Sequence, residues 1–228
     1  NPTFIPTIVA NGSTTLCSGD SVELSTVPGN MHQWSTGETS QSIFVNTPGQ
    51  YTVTVESIDG CIGESAPVEI IINPIPNPVI GAIGDSTICA GSNVVLESPL
   101  GSSYLWSNGA TTQVATGFSA GTYSCTVTDN NGCTIQDSIT VYEYAFISAS
   151  FTTTNPRCFG DNSGCIYTTV SGGDGNYTYL WYTASGTLIS AGTSADICNL
   201  SAGTYTCLVT DGCGCSEGFS VTISEPNE

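Results

Sequence analysis

The chain is 228 residues long, and its one basic residue, Arg157, stands against 19 acidic residues for a formal net charge of -18. Such a surface repels phosphate backbones and anionic lipid, so no nucleic-acid partner and no membrane insertion are expected. Its 11 cysteines form no C-x-x-C pair, and the lone His32 cannot complete a Cys/His zinc set, so disulfides made outside the cytosol are the expected use of the thiols.

Read in chain order, the elements are strands. Asn1-Pro2 to Pro6 opens in an extended, proline-spaced form. Cys17 and Gly19 precede an alternating strand, Ser21-Val22-Glu23-Leu24, and Trp34-Ser35-x-Gly37 follows as the centre of the unit. Gly49-x-Tyr51 opens the strand Tyr51 to Val55, Asp59-Gly60 turns it, and Cys61 closes the hairpin. The longest apolar stretch, Val68 to Ile72, is broken by Glu69 and is too short to span a bilayer. Seventy-two positions later the same order returns: Cys89, Gly91, Trp106, Gly109, Gly121, Tyr123, Gly132 and Cys133 answer Cys17 to Cys61. A looser third copy carries Trp181, Gly203, Tyr205, Asp211, Gly214 and Cys215. A fixed period means copies of one unit, so function belongs to the array before it belongs to any residue.

Each copy provides about seven short strands, a buried tryptophan near the third, and a Gly-x-Tyr corner at the entry to the sixth. The expected fold is therefore all-β, with three tandem immunoglobulin-like β-sandwich domains at 1–73, 74–145 and 146–228 in an elongated array. Strands of this length make three units in line a rod on the order of 100 Å. Asn73-Pro74-Ile75-Pro76-Asn77-Pro78 is read as a stiff linker, and Tyr142-Glu143-Tyr144-Ala145-Phe146 as a packed, aromatic junction. Because Asn1-Pro2 is in phase with Asn73-Pro74, the chain reads as a mature piece or a segment of something longer.

Thr154-Asn155-Pro156-Arg157-Cys158-Phe159-Gly160, Ser171-Gly172-Gly173, Tyr177 to Trp181, Leu200 to Tyr205 and Val221 to Pro226 together resemble the repeat of the gliding-motility adhesins of Bacteroidota. The first two copies, with their C-x-G opening, Trp-Ser-x-Gly centre and Gly-Cys close, resemble related immunoglobulin-like repeats of large surface proteins in that phylum. The resemblance implies export by the type IX route and a place in long surface adhesins or filaments. This chain departs from the pattern in carrying Cys165, Cys198, Cys207 and Cys213, and in lacking the usual proline in Gly173 to Tyr177. Asp20-Ser21-Val22, Asp85-Ser86-Thr87 and Asp137-Ser138-Ile139 resemble the O-glycan acceptor motif of the phylum, which makes Ser21, Ser86 and Ser138 candidate acceptors.

A catalytic triad or dyad needs a histidine, and His32 lies on the face of Trp34, where packing is the expected role. There is no lysine to serve as a base, and no enzyme activity is expected. No cofactor is expected either, the one candidate being structural calcium at Asp129-Asn130-Asn131 or Asp161-Asn162. Those residues also suit ordinary turns. Tyr142, Tyr144, Tyr179 and Tyr182 are candidates for a sugar-stacking platform.

The framework cysteines are Cys17, Cys61, Cys89, Cys133, Cys158 and Cys215. Equal spacing allows Cys17–Cys61 and Cys89–Cys133 to close their own domains, provided an atypical A–B segment carries Cys17 to the far end. Sandwich topology argues otherwise, since the A–B pole and the F–G pole of one domain are about 20 Å apart and a disulfide needs Cα atoms within about 7 Å. In a head-to-tail array the A–B pole of one domain meets the F–G pole of the next, which gives Cys17–Cys133 and Cys89–Cys215. Cys61 and Cys158 are then left for preceding and following units. Both schemes stand at this level. Cys165 pairs with either Cys207 or Cys198, and Cys125, inward on strand F with no partner on strand B, is the expected free thiol. The expected function is a structural repeat segment of an extracellular filament or long surface adhesin, whose partners are neighbouring copies of itself or adjoining repeats. The alternative is a tandem module that holds surface polysaccharide or a secreted partner.

Overall fold

The computed structural model describes residues 4–77 and 79–226; Asn1 and Pro2 of the opening segment and Pro78 of the first linker lie outside the described residues. All regular elements within them are strands. The first repeat holds β1 (Ile8–Ala10), β2 (Thr15–Cys17), β3 (Val22–Thr26), β4 (Met31–Trp34), β5 (Ser42–Val45), β6 (Gly49–Tyr51), β7 (Val53–Glu56), β8 (Ile62–Glu64) and β9 (Val68–Asn73). One sheet has the order β1-β3-β5, and β2-β9-β6 and β4-β7-β8 form the rest. The side-chain period of two explains the core: β3 buries Val22, Leu24 and Thr26 while Glu23 and Ser25 stay half-exposed. Trp34, Tyr51, Val53, Val55 and Ile70 join Val22 and Leu24 in one cluster. The Trp34 indole donates to Ser40 O at 2.8 Å, and the Tyr51 hydroxyl donates to Thr47 O at 2.8 Å as a tyrosine corner.

The second repeat comprises β10 (Gly81–Ile83), β11 (Thr87–Ile88), β12 (Val94–Glu97), β13 (Ser103–Trp106), β14 (Val114–Phe118), β15 (Gly121–Thr128) and β16 (Thr134–Glu143), in the orders β10-β12-β14 and β11-β16-β15-β13. The third has β17 (Ser148–Thr154), β18 (Gly164–Ser171), β19 (Tyr177–Thr183), β20 (Leu188–Gly192), β21 (Ile197–Leu200), β22 (Gly203–Asp211) and β23 (Ser216–Ile223), in the orders β17-β18-β21 and β20-β19-β22-β23. Its core gathers Ile166, Trp181, Tyr205, Cys207, Val209 and Ile223. The third copy differs from the others in a way its looser sequence left open: an extra strand, β20, pairs with β19 alongside the tryptophan, with Ser190 opposite Trp181.

Contacts divide the chain into two compact units, one comprising Asn1–Ile80, Ser98–Val114 and Ser124–Ser138, the other Gly81–Glu97, Ala115–Tyr123 and Ile139–Glu228. In the first unit β2 runs parallel to β9, with Cys17 opposite Asn73. In the second unit β11 runs parallel to β16, with Ile88 opposite Glu143. This short parallel pair places each Cys-x-Gly turn beside the end of its own repeat's last strand. The junction read as packed is not buried: Tyr142 is 60% exposed and Phe146 72% exposed.

Candidate functional site: cysteine turns and hairpins

Two small backbone devices recur in all three repeats, and each ends on or begins with a cysteine. The first is a tight turn. Asp20 N–H donates to Cys17 O at 3.0 Å, Ser92 N–H to Cys89 O at 2.9 Å, and Asp161 N–H to Cys158 O at 3.2 Å. The third position of each turn is left-handed, with φ of 97° at Gly19, 73° at Gly91 and 75° at Gly160. Glycine is the residue that takes this conformation without a Cβ clash, which is why C-x-G was readable as a motif. Each turn is tied to its repeat's last strand or to the residues just past it. Ser18 N–H donates to Asn73 O at 2.8 Å, Gly91 N–H to Glu143 Oε2 at 3.3 Å, and Gly160 N–H to Glu225 Oε2 at 2.9 Å.

The second device is a hairpin. Ser57 N–H donates to Cys61 O at 2.8 Å, and Asp129 and Asp211 make the same bond to Cys133 and Cys215 at 2.9 Å each. The side chain of the first hairpin residue then reaches forward to the cysteine. Cys61 N–H donates to Ser57 Oγ at 3.1 Å, Cys133 N–H to Asp129 Oδ1 at 2.9 Å, and Cys215 N–H to Asp211 Oδ1 at 2.8 Å. This is the self-bonding of Asp and Ser in turns. The role of Ser57, Asp129 and Asp211 went unread in the sequence, although the D/S-x-x-G-C spacing was there to show it.

The two devices meet across repeats. Cys17 is bonded to Cys133 and Cys89 to Cys215, each with Cα atoms 5.5 Å apart. These are the pairs that the pole argument expects, and the equal-spacing pairs Cys17–Cys61 and Cys89–Cys133 do not form. The parallel β2–β9 pair is the reason, since it brings Cys17 to the end where the chain leaves the first repeat. Cys165 is bonded to Cys198, its cross-strand neighbour in the β18–β21 ladder. Cys207 stays free and fully buried, with its thiol pushed up to about 11 by burial. Cys125 is also free and buried, and burial raises its pKa. Cys61, Cys158 and Cys213 are free and exposed.

Cys213 lies in the third hairpin beside an acidic cluster. Its thiol is 3.1 Å from Tyr144 Oη, with Asp174 Oδ2 at 3.8 Å. Hydrogen bonding with Cys213 and the negative surroundings push the Tyr144 phenol up to about 12. Asp174 accepts from Asn176 N–H at 2.8 Å and Gly212 N–H at 3.0 Å, which holds its carboxyl below the usual range. The calcium candidates serve their own turns. Asp129 Oδ1 also accepts from Asn131 N–H at 2.8 Å, and Asp161 takes the Ser163 hydroxyl at 2.6 Å and Asn162 N–H at 2.8 Å. Among the described residues no group of three or more His, Cys, Asp or Glu is arranged to hold a metal ion.

The remaining sequence candidates scatter. Ser21, Ser86 and Ser138 are all exposed. His32 is buried on β4, its Nε2 3.0 Å from Val27 O. Of the four tyrosines, Tyr142 is exposed, Tyr144 and Tyr182 are half-buried, and Tyr179 is a core residue.

Comparison with known proteins adds a local and a global likeness. The SprB repeat family matches residues 150–186. No curated protein sequence matches the chain. Among solved structures, the eight N-terminal Ig domains of Down Syndrome Cell Adhesion Molecule are similar at TM-score 0.50 and 12% identity, over 99% of this chain and 37% of that one. Three N-terminal domains of the bacteriophage RB49 Highly Immunogenic Outer Capsid protein give TM-score 0.46 and 15% identity over 98% of this chain and 99% of that one. Extracellular domains 3–5 of Drosophila OTK give TM-score 0.34 and 12% identity over 96% and 97%. The first of these likenesses shows the fold, an Ig-like tandem, and nothing further.

Proposed function

We propose that the chain is a structural, non-catalytic repeat segment of a long extracellular adhesin or filament at the cell surface. The observation that carries this reading is the covalent joining of successive repeats: a turn of one is disulfide-bonded to a hairpin of the next, twice, with the same local geometry. A binding or catalytic module gains little from such a device, whereas an array under tension gains continuity. The match of residues 150–186 to the SprB repeat supports an adhesin setting, and three cystines support an oxidising one. Export by the type IX route and O-glycans on Ser21, Ser86 and Ser138 belong to the same reading, and the exposure of all three serines suits it. The polysaccharide-holding alternative needs a platform of exposed rings, and only Tyr142 of the four candidate tyrosines is exposed.

Negative-stain images of native material test the proposal. A fibre with a regular axial repeat is expected. Discrete particles that bind surface polysaccharide and never assemble would replace it with the module reading.

A further inference from the structure

The two bonded pairs follow one rule: the Cys-x-Gly turn of a repeat bonds the hairpin cysteine of the next repeat along the chain. Applied to the whole chain, the rule leaves two half-sites, the hairpin cysteine of the first repeat and the turn cysteine of the third. They are Cys61 and Cys158, both free and both exposed. Neither is a stray thiol, because each sits in a finished copy of the bonded geometry. Cys158 has the turn bond of Cys17 and Cys89, the left-handed glycine at Gly160, and a tie to Glu225 just past the last strand. Cys61 has the hairpin bond of Cys133 and Cys215, the left-handed Gly60, and the side-chain clasp from Ser57. The bonded hairpin cysteines Cys133 and Cys215 are buried, whereas Cys61 faces solvent.

We infer that Cys158 of one molecule and Cys61 of the next form an intermolecular disulfide, which joins copies of this chain head to tail in the register already used within it. This chain carries both halves, a hairpin thiol at Cys61 and a turn thiol at Cys158, so two copies are complementary to one another at the same one-repeat offset. In the reaction both S–H bonds break and one S–S bond forms. Two electrons pass to an oxidised small-molecule disulfide, whose S–S bond breaks, and the two protons released from the cysteines are taken up by its sulfurs, so that it leaves as two thiols. The inference rests on the array reading and supplies its covalent connection. The other exposed thiol, Cys213, lies beside Tyr144 and the Asp174 carboxylate, outside the turn-and-hairpin rule.

The test uses the full chain and limiting oxidised glutathione as the probe, read on non-reducing gels and by pepsin peptide mapping. The wild type is expected to give a ladder of covalent multimers that carry a Cys61–Cys158 linked peptide. Cys61→Ser and Cys158→Ser are each expected to remain monomeric, and an equimolar mixture of the two to give dimer and nothing larger. Cys213→Ser should keep the full ladder. Unchanged melting of the two serine variants will show that they fold. A wild type that stays monomeric, a ladder that persists in either single variant, or native material in which Cys61 is linked to a peptide foreign to this chain overturns the inference. Fibres in native material without the Cys61–Cys158 peptide overturn it while leaving the filament reading intact; absence of fibres counts against that reading instead.

Discussion

Asp211 shows how much one side chain does in this fold. It is buried, and it accepts N–H bonds from Cys213 at 3.0 Å, Cys215 at 2.8 Å and Asp174 at 3.2 Å. Asp211→Ala strands these donors in a tight hairpin, and a loss of about 1–3 kcal/mol is expected. Urea unfolding with the cystines intact will read it, and an unchanged midpoint would show that the clasp is decorative. The tyrosine corners grade themselves in the same way. Tyr51 and Tyr205 each donate to a backbone carbonyl at 2.8 Å, whereas the Tyr123 hydroxyl lies 3.4 Å from Ser119 Oγ. Tyr51→Phe and Tyr205→Phe should therefore each cost about 1 kcal/mol and Tyr123→Phe less; equal costs for all three would refute the ranking. Asp174 supplies a pH dependence. Backbone N–H groups favour its charged form, so its folded pKa is depressed. Its contribution is present above the unfolded value of about 3.9 and is lost as pH falls through the lower folded value. The melting temperature should fall more steeply below pH 4 in the wild type than in Asp174→Asn. Relief of the overall negative charge acts on both proteins and cancels in the comparison, so parallel curves would remove Asp174 from the account.

At the scale of elements, the short strands β2 and β11 matter more than their length implies. Each runs parallel to the last strand of its own repeat, and so delivers a cysteine to the end where the next repeat begins. The third repeat has instead a continuous β17, paired along its length with β18, and its turn is anchored by Glu225. The bonds that result close long loops, with sequence separations of 116 and 126 for the two repeat-joining cystines and 33 for Cys165–Cys198. Reduction is expected to lower the melting temperature sharply, each lost bridge costing about 2–5 kcal/mol, with the two long loops at the upper end. The same melting curve in strong reductant would make the cystines incidental. The hairpins and the tryptophan strands were legible because turn residues and period-two alternation are local signals. The extra strand β20 and the exposure of Tyr142 and Phe146 were not, because they depend on what neighbouring strands cover.

For the whole molecule, the scarcity of basic residues makes the connectivity easy to test. Arg157 is the one trypsin site, it is exposed, and it lies between Cys89 and Cys215. A cut there yields segments 1–157 and 158–228, and the Cys89–Cys215 bond should hold them together until reductant is added. Pairing within each repeat would release the second segment without reduction, so one gel with and without reductant separates the two schemes.

The sequence by itself determined the repeat, the all-β alternation, the turn and hairpin that carry the cysteines, and the absence of any basic face for anionic partners. Those features are written in residues near one another or in bulk composition. Which cysteine meets which was decided by tertiary structure, because equal spacing satisfies both schemes and only the parallel seating of β2 and β11 chooses between them. The sequence likewise offered Cys165 two partners, and the β18–β21 register settled on Cys198 by placing it opposite. A disulfide forms between residues that the fold brings within a few ångströms, and distance across a sandwich is a property of strand direction, which no spacing along the chain records.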